Sequence, residues 1–385
     1  MKFDDILYIG CDDLDLDLFE GQYVIPDGVS YNSYLIADDK IAVVDSVDKA
    51  KVQRWLDNLD DALRGRTPDY LVISHMEPDH SAGVAAFAAK YPEAAIVGNN
   101  KTFDMFKAYY GVDLPLKRVV KEGDTLILGK HELVFYTAPM VHWPEVMVTY
   151  DKTSKVLFSA DAFGKFGALA NDDDDWACEA RRYYFNIVGK YGAQVQALLK
   201  KLAPLEISTI CPLHGPVLDE NLGYYVGLYN TWSSYAAETK GTFIAYASVY
   251  GNTARAAKLL SEELENRGEK VVLTDLARCD MAEAVEDAFR YDKLVIAAPT
   301  LDGGIFPAAE EFIRHIKAKN FQNRKVAFIE NGSWAPMSAK LMRAALEEQK
   351  NITFAEHTLT CRSSVPADAA ETITAMADEL LADKV

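Results

Sequence analysis

The chain reads as an α/β protein in two parts: a sandwich of largely antiparallel or mixed sheets over residues 1–240, then a doubly wound parallel sheet over 241–385. Three observations predict this. From residue 241 short apolar runs alternate with stretches of helical period, which is the pattern of a parallel sheet covered by helices. Before it, many short alternating runs are interrupted by only a few helical stretches, which suits a sandwich. Finally, 385 residues make two to three domains at ~150 residues each.

In the first part, the runs YNSYLIA (31–37), KIAVVD (40–45), ELVFYTA (132–138), EVMVTY (145–150) and KVLFSAD (155–161) alternate with period two and are predicted strands. Helical stretches are predicted over 49–63, 81–90, 101–110 and 178–201. A long helix gives way at SYAAETKGTF, so the boundary between domains is placed near 235–242. In the second part the predicted strands are TFIAYA (242–247), KVVLTDL (270–276), KLVIAAP (293–299), KVAFIEN (325–331) and ITFAEHTL (352–359). A helix starts at Asn252 and the last runs over 367–382.

Lys and Arg number 40 against 58 Asp and Glu, a formal charge of -18. Such a field repels phosphate backbones and anionic lipid, so nucleic-acid and membrane partners are not expected. The opening MKFDDILYIGCDDLDLDLFEG has no cationic segment followed by an apolar one, and no apolar run reaches ~18 residues. A cytoplasmic, unexported protein is expected. Cys11, Cys178, Cys211, Cys279 and Cys361 are scattered and form no Cys-x-x-Cys pair. Reduced thiols follow, without a disulfide framework or a four-cysteine metal site. The acidic run Asp172–Asp175 is expected to be a solvated loop.

The most informative segment is LVISHMEPDHSAG, where a buried strand empties into His75, Glu77, Asp79 and His80. In an extended loop alternate side chains project the same way, so His75, Glu77 and Asp79 can converge while His80 turns back. Downstream stand His142 in PMVHWPE, Asp161 at the end of KVLFSAD and His214 in CPLHGP. Any one of these residues alone is ordinary. Seven ligand-type residues at strand ends, holding four of the chain's 7 histidines, suit two metal ions with one carboxylate shared. Glu77, Asp79 and Asp161 add hard anionic oxygens that favour iron, with zinc or manganese as alternatives.

In the second part, AYASVYGNTA places Ser248, Tyr250, Gly251, Asn252 and Thr253 between a strand and a helix N-terminus, where hydroxyls and backbone N–H groups bind a phosphate. There is no Gly-Lys-[Ser/Thr] and no Gly-x-Gly-x-x-Gly after the strand, so neither a nucleoside triphosphate loop nor a dinucleotide fingerprint is present. Two further loops, PTLDGGIFP (299–307) and ENGSWAP (330–336), follow the third and fourth strands.

With these motifs in view, the chain resembles the flavodiiron proteins, or A-type flavoproteins. The segment His-x-Glu-x-Asp-His, together with GVSYNSYLI, VHWPE, LFSADAFG, EARRYYFNIVGKY and CPLHGP, is similar to that family's metallo-β-lactamase-like domain. The resemblance implies an N-terminal metallo-β-lactamase-like αββα sandwich, residues 1–240, followed by a flavodoxin-like domain, residues 241–385. It implies one iron on His75, Glu77 and His142, another on Asp79, His80 and His214, and Asp161 between them. It implies FMN held by Ser248, Val249, Tyr250, Gly251, Asn252 and Thr253 at the phosphate. Pro299, Thr300, Leu301, Asp302, Gly303 and Gly304 would stand near the ring, with Asn331, Gly332, Ser333 and Trp334. The loop Gly332-Ser333-Trp334-Ala335-Pro336 departs from the family's Gly-Ser-Tyr-Gly-Trp, Asp302 stands where Asn is frequent, and CPLHGPVLDE departs after the histidine.

The activity so implied is reduction of O2 to water, or of NO to N2O, at a di-iron centre fed through FMN. Tyr183 or Tyr184 is a candidate hydrogen-bond donor near the pocket. Electrons would come from an external donor, a rubredoxin, a flavin reductase or reduced deazaflavin. A head-to-tail homodimer, or a dimer of dimers, would bring FMN of one subunit to the metals of the other. The rival expectation is a metallo-β-lactamase-like zinc hydrolase with an accessory flavodoxin domain.

Overall fold

The computed structural model describes residues 3–171 and 175–382. Asp172–Asp174 of the acidic run lie outside the described residues, and Asp175 precedes the helix Trp176–Tyr183 without a side-chain capping bond. Packing divides the chain into two compact units, Met1–Tyr184 with Ala193–Asn230, and Phe185–Gly192 with Thr231–Val385.

The first unit holds two sheets. One runs in the order β1 (Ile6–Tyr8), β2 (Tyr34–Ala37), β3 (Ile41–Val44), β4 (Tyr70–Val72), β5 (Ala95–Gly98) and β6 (Lys117–Val119). Its first two pairings are antiparallel and the rest parallel. The other runs β7 (Thr125–Ile127), β8 (Glu132–Thr137), β9 (Met147–Asp151), β10 (Val156–Phe158) and β11 (Thr209–Cys211), with only the last pair parallel. Ile36, Val44, Val72 and Val97 of the first sheet share one buried cluster with Leu133, Phe135, Met147 and Phe158 of the second. The sheets therefore face each other across an apolar core, each fully buried aliphatic side chain contributing about 1.5–3 kcal/mol. Helices cover the outside. Val52–Leu63 buries Trp55, Leu56, Leu59 and Leu63 at helical spacing, and Asn100–Tyr110 begins with a capping box from Asn99 to Thr102.

The second unit holds a sheet of five parallel strands, β12 (Thr239–Tyr246), β13 (Val271–Asp275), β14 (Tyr291–Leu301), β15 (Lys325–Asn331) and β16 (Thr353–Cys361), in the spatial order β13-β12-β14-β15-β16, with the short strand Gly304–Ile305 paired antiparallel to β14. The reversal between β12 and β14 is a topological switch point, where doubly wound sheets bind ligands at their carboxyl ends. Helices Asn252–Asn266 and Ala369–Leu381 bury Leu260, Leu264, Met376 and Leu380 against Ile244, Val295 and Ile329.

Two stretches differ from the sequence reading. The predicted helix 178–201 is three pieces: Trp176–Tyr183, a π-turn and a 3₁₀ turn over 184–191, and Gly192–Leu202. The break has a packing cause, because Phe185–Gly192 belongs to the second unit, and a Cβ on Gly192 would stand 2.4 Å from the Ser233 carbonyl oxygen. Lys240–Gly241, where the sequence reading ends the first domain, lies inside β12, where the pairing with β14 shifts register between Thr239 and Thr242. Among the described residues no helix is long and apolar enough to cross a membrane.

Candidate metal centre

Four strand ends build the centre. His75 follows β4, His142 lies in the turn between β8 and β9, Asp161 follows β10 and His214 follows β11. Glu77 is not followed by extended chain, as alternation had suggested: Pro78 starts a helical turn over Pro78–Ser81. Proline fits the first helical position because its φ is preset and its missing N–H would have no partner there. Asp79 and His80 are thus carried by a helix rather than by an extended loop.

The seven residues come together as two groups. His75, Glu77, His142 and Asp161 offer ligand atoms within 4.8 Å of one another, as do Asp79, His80 and His214. Asp161 stands between them: its Oδ2 lies 3.3 Å from His75 Nε2 and 3.1 Å from His142 Nε2, while its Oδ1 lies 3.3 Å from His80 Nε2. His80 Nε2 and His214 Nε2 face each other at 3.1 Å, and Asp79 Oδ2 is 3.2 and 3.3 Å from them. All four histidines and Asp161 are buried.

Deep burial works against the charge of each carboxylate, yet the neighbouring imidazoles outweigh it. Asp161 is held well below the usual range by His75, His142 and His80, and Asp79 by His80 and His214. Burial likewise disfavours charged imidazoles, but Asp79 and Asp161 push His80 up to about 10, and Asp161 and Glu77 push His142 up to about 9. The cluster thus favours positive charge at its centre. Asp79 Oδ1 and Asp161 Oδ1 are buried and accept no hydrogen bond of good geometry. Buried acceptors left without donors, beside ring nitrogens aimed at one another, fit cations placed between them.

The supporting shell is extensive. Asp45 Oδ1 accepts the Ser74 N–H at 2.7 Å, and Ser46 Oγ donates to the His80 carbonyl at 2.7 Å. Asn32 Nδ2 donates to the carbonyls of Pro212 and Gly215 on either side of His214. Asp45, Met140, Ala160 and Phe163 all adopt positive φ without being glycine. Each such residue costs on the order of 1–3 kcal/mol, and these four lie in or beside the loops that present the ligands, though other non-glycine residues with positive φ, Arg64 and Asn351 among them, lie elsewhere. Sequence reasoning missed two members. Ser30 accepts His214 Nδ1 at its carbonyl, and Glu145 Oε1 accepts His75 Nδ1 at 2.7 Å and the Met76 N–H at 2.8 Å. The acidic end of VHWPE was the available signal for Glu145. Of the two tyrosines, Tyr183 lies 5.5 Å from the His214 ring, whereas Tyr184 packs edge-on against Tyr229.

In the second unit, a cavity of about 700 Å³ opens at the carboxyl ends of β12, β14 and β15. It is lined by Ser248, Val249, Tyr250, Asn252 and Thr253, by Pro299, Thr300, Leu301, Asp302 and Gly303, and by Asn331, Gly332, Ser333 and Trp334. Gly251 and Gly304, expected from the sequence beside the cofactor, are not among the lining residues. Gly251 has φ +86, donates its N–H to Ser248 Oγ at 3.0 Å and opens the helix Asn252–Asn266, while Gly304 closes a tight hairpin through Asp302 and Gly303. Ala335, Met337 and Ser363 also line the cavity and were not foreseen. Ser363 follows β16, binds Asn331 through its backbone in both directions and meets Ser333 Oγ at 2.7 Å. Thr300 Oγ1 accepts the N–H groups of Met337 and Ser338, tying two lining loops together. Trp334 and Tyr250 are 88% and 92% exposed, so neither ring packs against its own unit.

Paired metal positions on a two-sheet sandwich and a strand-end cavity on a doubly wound sheet define a metallo-β-lactamase-like domain joined to a flavodoxin-like one. Residues 29–215 match the family described as ODP family beta lactamase, and residues 243–359 match a flavodoxin domain. Anaerobic nitric oxide reductase flavorubredoxin of Vibrio vulnificus is 30% identical over 86% of this chain and 69% of its own length. Diflavin flavoprotein A 1 of Synechocystis is 33% identical over 75% of this chain and 52% of its own. The chain spans about half the length of this and other diflavin flavoproteins it matches. Rubredoxin oxygen:oxidoreductase of Desulfovibrio gigas superposes with a TM-score of 0.92 at 25% identity, covering 99% of this chain and 97% of that one. The chain belongs to the flavodiiron, or A-type flavoprotein, family.

Proposed function

We propose that the chain is an oxidoreductase that reduces a small gas at a non-haem di-iron centre supplied with electrons through FMN. The observation that supports this most is the placement of Asp161, whose two oxygens face the two ligand groups. In this reading His75, Glu77 and His142 would hold one iron and Asp79, His80 and His214 the other, with Asp161 available to both. Ser248–Thr253 would hold the phosphate of an FMN in the cavity of the second unit, and Pro299–Gly304 with Asn331–Trp334 would stand by its ring. When bound, the iron pair supplies gas binding and one-electron steps, and FMN supplies two-electron storage.

The chain's own residues do the rest. Three carboxylates offset much of the charge of two ferrous ions, and the strained, cross-braced loops fix the ligands before metal arrives. Tyr183 is buried, and its burial and the charge of Asp161 push its hydroxyl well above the ordinary tyrosine range, so it keeps its proton beside His214. In this reading it is the hydrogen-bond donor to the pocket. Four-electron reduction of O2 takes up four protons and yields two waters; coupling of two NO with two electrons and two protons yields N2O and one water. The relatives' names point both ways, one being a nitric oxide reductase and another an oxygen oxidoreductase. The reading includes a head-to-tail homodimer and an external donor of the rubredoxin, flavin reductase or reduced deazaflavin class.

The test is metal and flavin content after anaerobic purification, paired with O2 and NO uptake by the reduced protein. About two irons and one FMN per chain with gas uptake are expected. Zinc in both positions with no uptake would overturn the reading in favour of a hydrolase.

A further inference from the structure

The two groups of ligands differ in what stands behind their histidines. Behind His75, Glu145 presents a carboxylate: Oε1 takes the Nδ1 side of the ring at 2.7 Å and the Met76 N–H at 2.8 Å. Glu145 is 1% exposed, and its Oε2 is buried with no hydrogen-bond partner. Its backbone is fixed as well, since Asn99, which caps the helix Asn100–Tyr110, donates Nδ2 to the Glu145 carbonyl at 2.5 Å. Trp143 closes the far side, edge-on to the His75 ring at 5.1 Å. In the other group, His214 Nδ1 meets only the neutral carbonyl of Ser30, at 2.7 Å, and His80 Nδ1 is buried without a hydrogen-bond partner.

Either acceptor orients a ligating imidazole and fixes its tautomer, but a carboxylate brings a full negative charge and so raises the basicity of the ring more than a neutral carbonyl does. Glu145 also adds a full negative charge to one side of a centre in which Asp161 is shared and Glu77 and Asp79 balance each other. Resting on the di-iron reading above, we propose that Glu145 is a positioning residue that makes the two metal positions inequivalent. The position of His75, Glu77 and His142 binds its metal more tightly and keeps it ferric longer. The position of Asp79, His80 and His214 releases its metal first and is ferrous in the half-reduced centre.

The experiment compares the full-length protein with E145Q, which keeps an acceptor for His75 and removes the charge, and E145D, which keeps the charge. Two readouts are used: release of metal to a chelator, and a redox titration followed by the EPR signal of the half-reduced iron pair. Unmodified protein is expected to release its two metals in separate phases. E145Q should speed the slower phase by ~10–100-fold and leave the faster one alone. It should also lower the comproportionation constant about tenfold, a narrowing of about 59 mV between the two one-electron potentials. E145D should restore both. Equal acceleration of both phases, an unchanged potential gap in E145Q, or E145D behaving as E145Q would overturn the proposal. If neither variant folds, unmodified protein reloaded with ⁵⁷Fe in its faster-released position decides by Mössbauer spectroscopy. A ferrous ⁵⁷Fe after one-electron reduction supports the assignment, and a ferric one overturns it. Zinc in both positions with two release phases intact would sink the iron reading and leave the inequivalence standing.

Discussion

The two candidate sites are built from opposite materials. In the first unit the centre is made of charged side chains driven into the interior, with His75, His80 and His214 at 0% exposure. In the second, the cavity is made of loop backbone, hydroxyls and glycines at an open sheet edge, with Trp334 and Tyr250 almost fully exposed. Buried carboxylates and imidazoles are tolerable only when they satisfy one another and a cation, so the first site is specified by a network in which each member depends on the rest. The second is specified by where the backbone can go, and its members are more nearly independent.

The largest effect should therefore follow from removing the one side chain common to both ligand groups. Asp161→Ala takes away the acceptor facing His75, His142 and His80. Metal affinity should fall at least ~100-fold, and gas uptake should be lost with it. Flavin content, read from the visible spectrum, should be unchanged because the cavity lies in the other unit. A variant that keeps two metals per chain would break the contrast, showing the two groups to be independent after all.

How legible each site was in the sequence follows from the same contrast. The strand over 325–331 is observed at the residues the apolar run marks, and the helix from Asn252 begins where its loop residues end. Regular alternation reports local periodicity, and periodicity survives folding when the element packs on its own unit. The stretch 178–201 reads as one helix because its spacing is helical, but residues 185–192 pack in the second unit and the chain must unwind to reach it. Long-range placement of this kind leaves no local mark. Ligand-type residues were visible because histidines are few and stand in Pro- and Gly-punctuated loops at strand ends. Glu145 was not, since 70 residues separate it from His75 and only the fold of β8 and β9 beside β4 brings them together. Ser363 was missed for a simpler reason: one hydroxyl after the last strand has no pattern around it.

A smaller effect should distinguish backbone from side chain in the cavity. At Gly332 a Cβ would lie 2.6 Å from Pro336 Cα and 2.8 Å from its nitrogen, both backbone atoms that cannot rotate away. Gly332→Ala must shift the loop carrying Ser333 and Trp334, and flavin affinity should fall about tenfold, or about 1.4 kcal/mol. Fluorescence titration of flavin-free protein measures this, with metal content as the control that should stay constant. Unaltered flavin affinity would mean that the loop adapts freely and that the cavity is not set by its backbone.

The smallest effect asks whether buried imidazole–carboxylate pairs in the first unit depend on metal at all. His131 belongs to neither ligand group, is fully buried, and holds Asp151 Oδ2 at 2.7 Å on one side and Asp5 Oδ2 at 3.2 Å on the other. Burial disfavours its charge, but the bonds and charges of Asp151 and Asp5 raise its pKa above the ordinary histidine value. A raised histidine pKa means that the folded state binds the proton more tightly than the unfolded one. The resulting stability is complete below the unfolded value of about 6.5 and is lost as pH rises through the higher folded value. His131→Asn should therefore cost about 1 kcal/mol at pH 5.5 and progressively less in alkaline buffer, read as the shift in urea midpoint against the unmodified protein. The same pH dependence is expected with and without metal, since the pair spans the start of β8 and the end of β9 rather than the strand-end loops of the centre. A dependence that appears only in metal-loaded protein would tie His131 to the centre and make the first unit a single charged network.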